Sequence, residues 1–486
     1  MKGGVMGGVM SVANQVIKVV EGERFTPFGL ARKLGVRAML ESATFEGGRA
    51  RYSMLMVREA FRVYQEGGAV FFDDGRKKSR IRSNAKDILD VLNYFAEQHT
   101  APQQDFPFPA GGIGFLSYEF SRYCDTIRFV ERGGPDVPDV PDVPEGIFLF
   151  GHVLIIFDHY SDLLYLIGLN YKECSIDLER ALRETEVAIH DLNFNYLQQE
   201  EPEDAAEVVD GDGDGDGDRE RFMAGVDRIK REIVEGNLLQ GVLSRRKTVK
   251  TTMPALEAYR RLRSSNPAPY LVYLDFDRFQ LFAASPEIHV RVKNGVASMR
   301  PIAGTRRRGV DDTEDRELEK ELLGDEKELA EHLMLVDLAR NDLGRVCKPG
   351  TVKVGEFHTV ERYSRVMHIV SHVEGQLAEG IRGIDALRAT FPAGTVSGAP
   401  KIRAIETVDS IEPVQRGFYA GAVVYVEPGG NLDSCITIRA GLKMGDRLVL
   451  QAGAGIVYDS VPEREYVETN QKLAALMRAV GLEEDA

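Results

Sequence analysis

Short apolar runs alternate with amphipathic stretches along the whole chain. In the first two hundred residues Ala69-Val70-Phe71-Phe72, Ile147-Phe148-Leu149-Phe150 and Leu163-Leu164-Tyr165-Leu166-Ile167 are brief and rich in aromatic or branched side chains, which predicts strands. Beyond residue 220 the same pattern predicts strands at 280–284, 289–292, 420–426 and 448–451. Helical spacing predicts helices at 219–235, 314–343 and 461–480. Ser460, Pro462 and Glu463 read as the N-cap, first turn and capping partner of the last helix. Cys435 lies within the apolar run Ser434-Cys435-Ile436-Thr437-Ile438 and reads as a buried strand residue. A mixed α/β chain without internal repeats results.

Two low-complexity segments interrupt this pattern. Gly133-Gly134-Pro135 leads into three Asp-Val-Pro repeats ending at Pro144, which favours an extended surface excursion. An acidic Asp/Gly tract occupies 200–219 and reads as a linker between an N-terminal domain, 1–199, and a C-terminal domain, 220–486. A calcium loop starting at Asp212 would need glutamate at its twelfth position, where Met223 stands.

Length, charge and cysteine usage narrow the class. A chain of 486 residues is long for one core, and a net charge of −15 argues against a nucleic-acid partner. Cys124, Cys174, Cys347 and Cys435 have no metal-site or disulfide-framework spacing, which fits a reducing cytoplasm. No stretch reaches the roughly 18 apolar residues a membrane span requires. The glycine-rich start lacks the features of a signal peptide.

Two helices carry glutamates at helical spacing: Glu328 with Glu331, and Glu465 with Glu468, the latter followed by Lys472. Such pairs converge on a hard cation or line a solvated face, and spacing does not decide between them. Gly304-Thr305, Gly394-Thr395 and Gly453-Ala454-Gly455 read as turns able to offer N–H groups to an anion, or simply as tight turns. His368 lies in an apolar run. There is no HExxH, GxSxG, GxGxxG or P-loop sequence.

Six segments, PIAGTRRRG (301–309), EHLMLVDLARNDLGRV (331–346), RYSRVMHIVSHVEG (362–375), GTVSGAPKIRAIE (394–406), LDSCITIRA (432–440) and QAGAGIVYDSVPEREYVET (451–469), stand in the order found in chorismate-utilising enzymes. The chain resembles the anthranilate synthase component I branch of that family. The resemblance implies an α/β (α+β) fold in which large antiparallel β-sheets are layered with helices in a two-subdomain sandwich. It implies a carbon–oxygen lyase that takes chorismate and ammonia to anthranilate and pyruvate through aminodeoxyisochorismate, the first committed step of tryptophan biosynthesis. Glu331 and Glu468 match Mg²⁺ ligands, with Glu328 and Glu465 behind them. Gly304, Thr305, Tyr419, Arg439, Gly453, Ala454, Gly455 and Lys472 match substrate-carboxylate positions. Glu287 matches the general acid, and His368 and Thr395 match residues that organise the reaction.

The resemblance also implies feedback inhibition by L-tryptophan, bound by Glu41, Ser42, Pro269, Tyr270, Leu271 and Tyr425. Relatives that add water carry a lysine where Gln240 stands. Relatives on the folate route, which make aminodeoxychorismate, carry one at Ala303. Both are absent here, so ammonia addition with pyruvate loss is expected. An aminodeoxychorismate or aminodeoxyisochorismate synthase component, and a non-catalytic paralogue that binds chorismate or tryptophan, are the alternatives. No GxCxGxQ elbow is present, so ammonia from glutamine would come from a separate amidotransferase subunit, component II, in a hetero-oligomer.

Overall fold

The computed structural model describes residues 9–12, 14–42, 51–102, 106–130, 132, 143–196, 202, 204–209, 216–363 and 366–482. The Asp-Val-Pro repeats up to residue 142 and the Asp-Gly tract at 210–215 lie outside the described residues.

Strand Gly146–Asp158 shows why the centre of the molecule is β. Every one of its positions is buried. Tyr52–Glu66 pairs with it on one edge, and Ile113–Leu116 and Leu163–Leu169 share the other. A strand covered on both faces needs no polar alternation, so it runs well beyond the apolar signal at 147–150. Its buried His152 is satisfied by the Leu169 carbonyl at 2.7 Å. Phe150 stacks on Phe61 at 4.6 Å, and Phe95 closes the cluster at 4.8 Å from Phe61. Burying each such ring contributes about 2–3 kcal/mol.

The two sequence segments flanking the linker share one sheet. Ala38–Glu41 pairs with Tyr270–Asp275, placing Glu41 opposite Leu271, and Ile113–Leu116 pairs with Ala422–Val426. Pairing across the linker removes strand edges that would otherwise stay open. The linker is therefore a boundary in composition and not a boundary between sheets.

One irregularity in the sheet positions the site. Gln280–Ser285 and Ile288–Lys293 form a nearly continuous strand, antiparallel to Leu432–Ile436 and Ala440–Met444. The ladder breaks where Pro286, which has no N–H, and Glu287 face Thr437, Ile438 and Arg439. Arg439 adopts φ 51, and the break is spanned by two backbone bonds, Ala284 N to Arg439 O (3.1 Å) and Ile436 N to Glu287 O (3.0 Å), and by Ser285 Oγ donating to the Ile436 carbonyl (2.6 Å). The sheet bends there, and Glu287 and Arg439 stand on either side of the corner.

Three expectations need correction. The helix expected at 314–343 is two, Asp312–Gly324 and Glu326–Gly344. Asp325 leaves helical geometry (ψ 103), and its side chain caps the second helix through Lys327 N and Glu328 N. The last helix, Pro462–Ala479, is not capped by Ser460, whose Oγ accepts from Val457 N at 3.0 Å. Gly453-Ala454-Gly455 is no turn: it lies inside strand Arg447–Ile456. Among the described residues no helix is long and apolar enough to cross a membrane. All four cysteines are free, and Cys435 is buried in strand Leu432–Ile436.

Candidate active site

Glu287 faces a cleft at the sheet corner lined by the turn at Gly394–Val396 and helix Glu326–Gly344, with Lys472 of the last helix in electrostatic reach. Part of the residue stays open to the cleft. Burial of its carboxyl nonetheless pushes its pKa up to about 7, against the pull of Thr395, Lys472 and Arg439. The Thr395 hydroxyl lies beside that carboxyl, although their geometry falls short of a formed hydrogen bond, and Thr395 Oγ1 has no other partner among the described residues.

Arg439 answers Glu287 from the opposite strand. Burial lowers its pKa, which Tyr419, Glu468 and Glu287 oppose. Its guanidinium makes no hydrogen bond or ion pair with any described residue. A desolvated fork left unpaired calls for a planar anion. Lys472 adds a second cation, with Nζ 2.6 Å from Glu468 Oε1 and donating to the Gly453 carbonyl at 2.8 Å.

The glycines matter here for space. A Cβ at Gly453 would stand 2.9 Å from Tyr419 Oη, and one at Gly455 2.7 Å from Gln240 Nε2. Strand alternation turns Ala454 the other way, into an apolar cluster with Leu243 and Ile456, so only its backbone can serve a ligand. Tyr419 is buried, which raises its pKa to about 12 and keeps the phenol neutral.

Gly304 and Thr305 form a bulge inside strand Ile302–Arg307 rather than a turn after a strand, with Gly304 at φ 66. Thr305 registers against His368 of strand Val366–Val370. His368 Nδ1 lies 3.0 Å from the Gly304 carbonyl and 3.1 Å from Thr305 Oγ1. A carbonyl only accepts, so Nδ1 carries the proton and Nε2 is left as an acceptor. Burial lowers the His368 pKa, which keeps the ring neutral.

The glutamates of the two helices stand within electrostatic reach of one another. Burial raises the Glu331 pKa, and the charges of Glu328 and Glu468 raise it further. Burial and Glu468 likewise raise Glu465, which Ser460 partly offsets with a hydrogen bond. Glu328 is held by Arg306 at 3.3 Å. Among the described residues no three acidic, histidine or cysteine side chains form a closed metal cage.

A family model described as chorismate binding enzyme matches residues 46–478. The chain belongs to the chorismate-binding enzyme family. An anthranilate synthase component 1 from Spirochaeta aurantia is 60% identical over 473 residues, 97% of each chain. The crystal structure of anthranilate synthase component I from Streptococcus pneumoniae is 34% identical, superposes with a TM-score of 0.76, and is matched over 89% of this chain and 94% of that one. The menaquinone-specific isochorismate synthase of Escherichia coli shares the fold (TM-score 0.68, 20% identity, 96% of this chain and 94% of that one).

Away from the cleft, Glu41, Ser42, Pro269, Tyr270, Leu271 and Tyr425 line one cavity of about 300 Å³. Glu41 is fixed by Tyr259 Oη at 2.6 Å and by Arg263 at 3.1 Å. Sequence reasoning missed Arg291 and Asp433, which line the same cavity and pair at 2.8 Å, with Tyr270 Oη donating to Asp433 at 2.9 Å. A charged residue inside a buried strand such as Leu432–Ile436 was the available signal. Pro286 and Ile288 also line this cavity, while Glu287 between them faces the cleft.

Proposed function

We propose that this chain is the chorismate-converting component I of an anthranilate synthase. The observation that carries the reading is the sheet corner: a carboxyl held protonated to about pH 7 opposite a desolvated guanidinium without a partner among the described residues. Chorismate is a dianion, and Arg439, Lys472 and the backbone along Gly453–Gly455 offer a fork, an ammonium and N–H groups to its carboxylates. Glu287 donates its proton to the C4 oxygen, so the C–O bond breaks with water leaving as the C2–N bond to ammonia forms. In the second step neutral His368 accepts the C2 proton through Nε2. The C3–O bond then breaks, the ring becomes aromatic, and the enolpyruvyl group departs and is protonated to pyruvate. The Thr395 hydroxyl, beside the Glu287 carboxyl and without another partner among the described residues, is free to hydrogen-bond it as it changes protonation state. Gln240 and Ala303 lack the amine that would favour water addition or a C4-aminated product.

A divalent cation fits the glutamate pairs. Repulsion among Glu328, Glu331, Glu465 and Glu468 is what a cation relieves, and Mg²⁺ needs only one or two carboxylates when substrate and water complete its shell. Glu331 and Glu468 would hold it, with Glu328 and Glu465 behind them. When bound, Mg²⁺ would neutralise the ring carboxylate and fix the ring. The reading places the enzyme in the cytoplasm, as part of a hetero-oligomer with a glutamine amidotransferase. The purified chain should use ammonium at full rate and glutamine only when that second subunit is added. Glutamine hydrolysis by the chain alone would overturn the partner assignment.

The cavity at Glu41 and Tyr270 is the proposed L-tryptophan site. Its size, largely apolar lining and buried Glu41 suit an aromatic ring with an ammonium group. At a hundredfold excess over Kd, a ligand that binds only the folded state stabilises it by about 2.7 kcal/mol. Tryptophan should therefore raise the thermal midpoint measurably, and Glu41→Gln should reduce that shift to less than half. A wild-type protein whose activity and midpoint both ignore saturating tryptophan would remove this assignment.

A further inference from the structure

Behind the cleft a single buried guanidinium touches three of its walls. Arg416 is 2% exposed. Its Nε and Nη2 fork onto Glu412 at 2.8 and 2.7 Å, Nη1 donates to the Val396 carbonyl at 2.7 Å, and Nη2 donates to the Val242 carbonyl at 2.5 Å. The guanidinium carbon also lies 4.5 Å from the Tyr118 ring centre and 5.7 Å from that of Tyr419. Glu412 is tied in turn to strand Gln240–Lys250, since its Oε1 accepts from both Ser244 N and Ser244 Oγ at 2.7 Å.

Three of these contacts end at or near a residue of the cleft. Val396 follows Thr395. Val242 is two residues from Gln240 and registers against Gly455. Tyr419 closes over Gly453. We propose that Arg416 is a positioning residue that sets the Thr395 turn, strand Gln240–Lys250 and the Tyr419 ring at their working separations. The inference rests on the reading of the cleft as the chorismate site. Stability alone does not account for the arrangement, because a buried ion pair is often replaceable by uncharged groups at little cost. Only a planar fork can hold one carboxylate and two carbonyls from separate segments together. A lysine keeps the charge but offers a single point of attachment.

Two variants test this. Arg416→Lys retains the charge facing Glu412. The pair Arg416→Met with Glu412→Gln removes both charges and leaves Ser244 an acceptor. In each, kcat for chorismate and ammonium should fall about a hundredfold, the cost of roughly 1 Å of misplacement. KM should stay within about threefold, because Arg439 and Lys472 are untouched, and circular dichroism should show the native fold. Either variant folding with kcat within twofold of wild type would overturn the proposal. So would failure of both to fold, or an activity loss that only tracks the unfolded fraction, since each makes Arg416 a folding requirement alone. A wild-type protein inert towards chorismate would instead remove the underlying reading of the site.

Discussion

Glu287→Gln lowers kcat by roughly a thousandfold while leaving the protein folded. The amide keeps the shape of the acid but has no proton to give the departing oxygen, and general acids contribute about 10²–10⁴. The pH dependence is as informative as the rate. Glu287 ionises near pH 7 in the folded protein, so wild-type kcat/KM should fall as pH rises through about 7. The variant should lose that limb. Stability must move in a linked way. The native state keeps a proton that the unfolded chain releases near the ordinary value of 4.5, so this group's contribution is fully present below 4.5 and is lost as pH rises to about 7. Glutamine cannot ionise, so the variant's thermal midpoint should gain on wild type between pH 5 and 8. A variant that keeps the wild-type basic limb would show that another group supplies the proton.

Removing the proposed Mg²⁺, or the glutamates proposed to hold it, should have an effect of similar size. Glu331→Ala and Glu468→Ala should each lower kcat/KM by roughly a hundredfold to a thousandfold, and chelation of wild type should match them, because a bound cation supplies several kcal/mol. The metal-free fold should respond in the opposite direction. Glu331 is desolvated and stands among like charges, so Glu331→Gln relieves strain and should raise the midpoint measured in chelator. Mg²⁺ should then raise the wild-type midpoint and leave that of a Glu331→Gln, Glu468→Gln double variant unmoved. Full activity in chelator, or equal Mg²⁺ shifts in both proteins, would remove the metal assignment.

Local patterning carried much of the fold and less of the site. The apolar runs at 69–72, 163–167 and 280–284 became strands because β-structure declares itself over a few residues. Gly453-Ala454-Gly455 misled because glycine signals turns. Here it makes room for Tyr419 and Gln240 within a strand, a need set by distant residues. Asp325 broke a helix that periodicity carried straight through, since both helices keep similar spacing across the junction. The family motifs named Glu287, Arg439 and the glutamates, yet nothing in their spacing showed that a break in the sheet sets Glu287 opposite Arg439. Glu412 and Arg416 are four residues apart and belong to no motif that the sequence analysis singled out. Only the fold reveals them as buried behind Thr395 and Tyr419.

The central claim is the reaction itself. Purified chain incubated with chorismate, Mg²⁺ and ammonium at pH 7 should yield anthranilate, followed by its fluorescence, with one pyruvate released for each anthranilate formed. Isochorismate, salicylate or an aminated product that retains its pyruvyl group would contradict it.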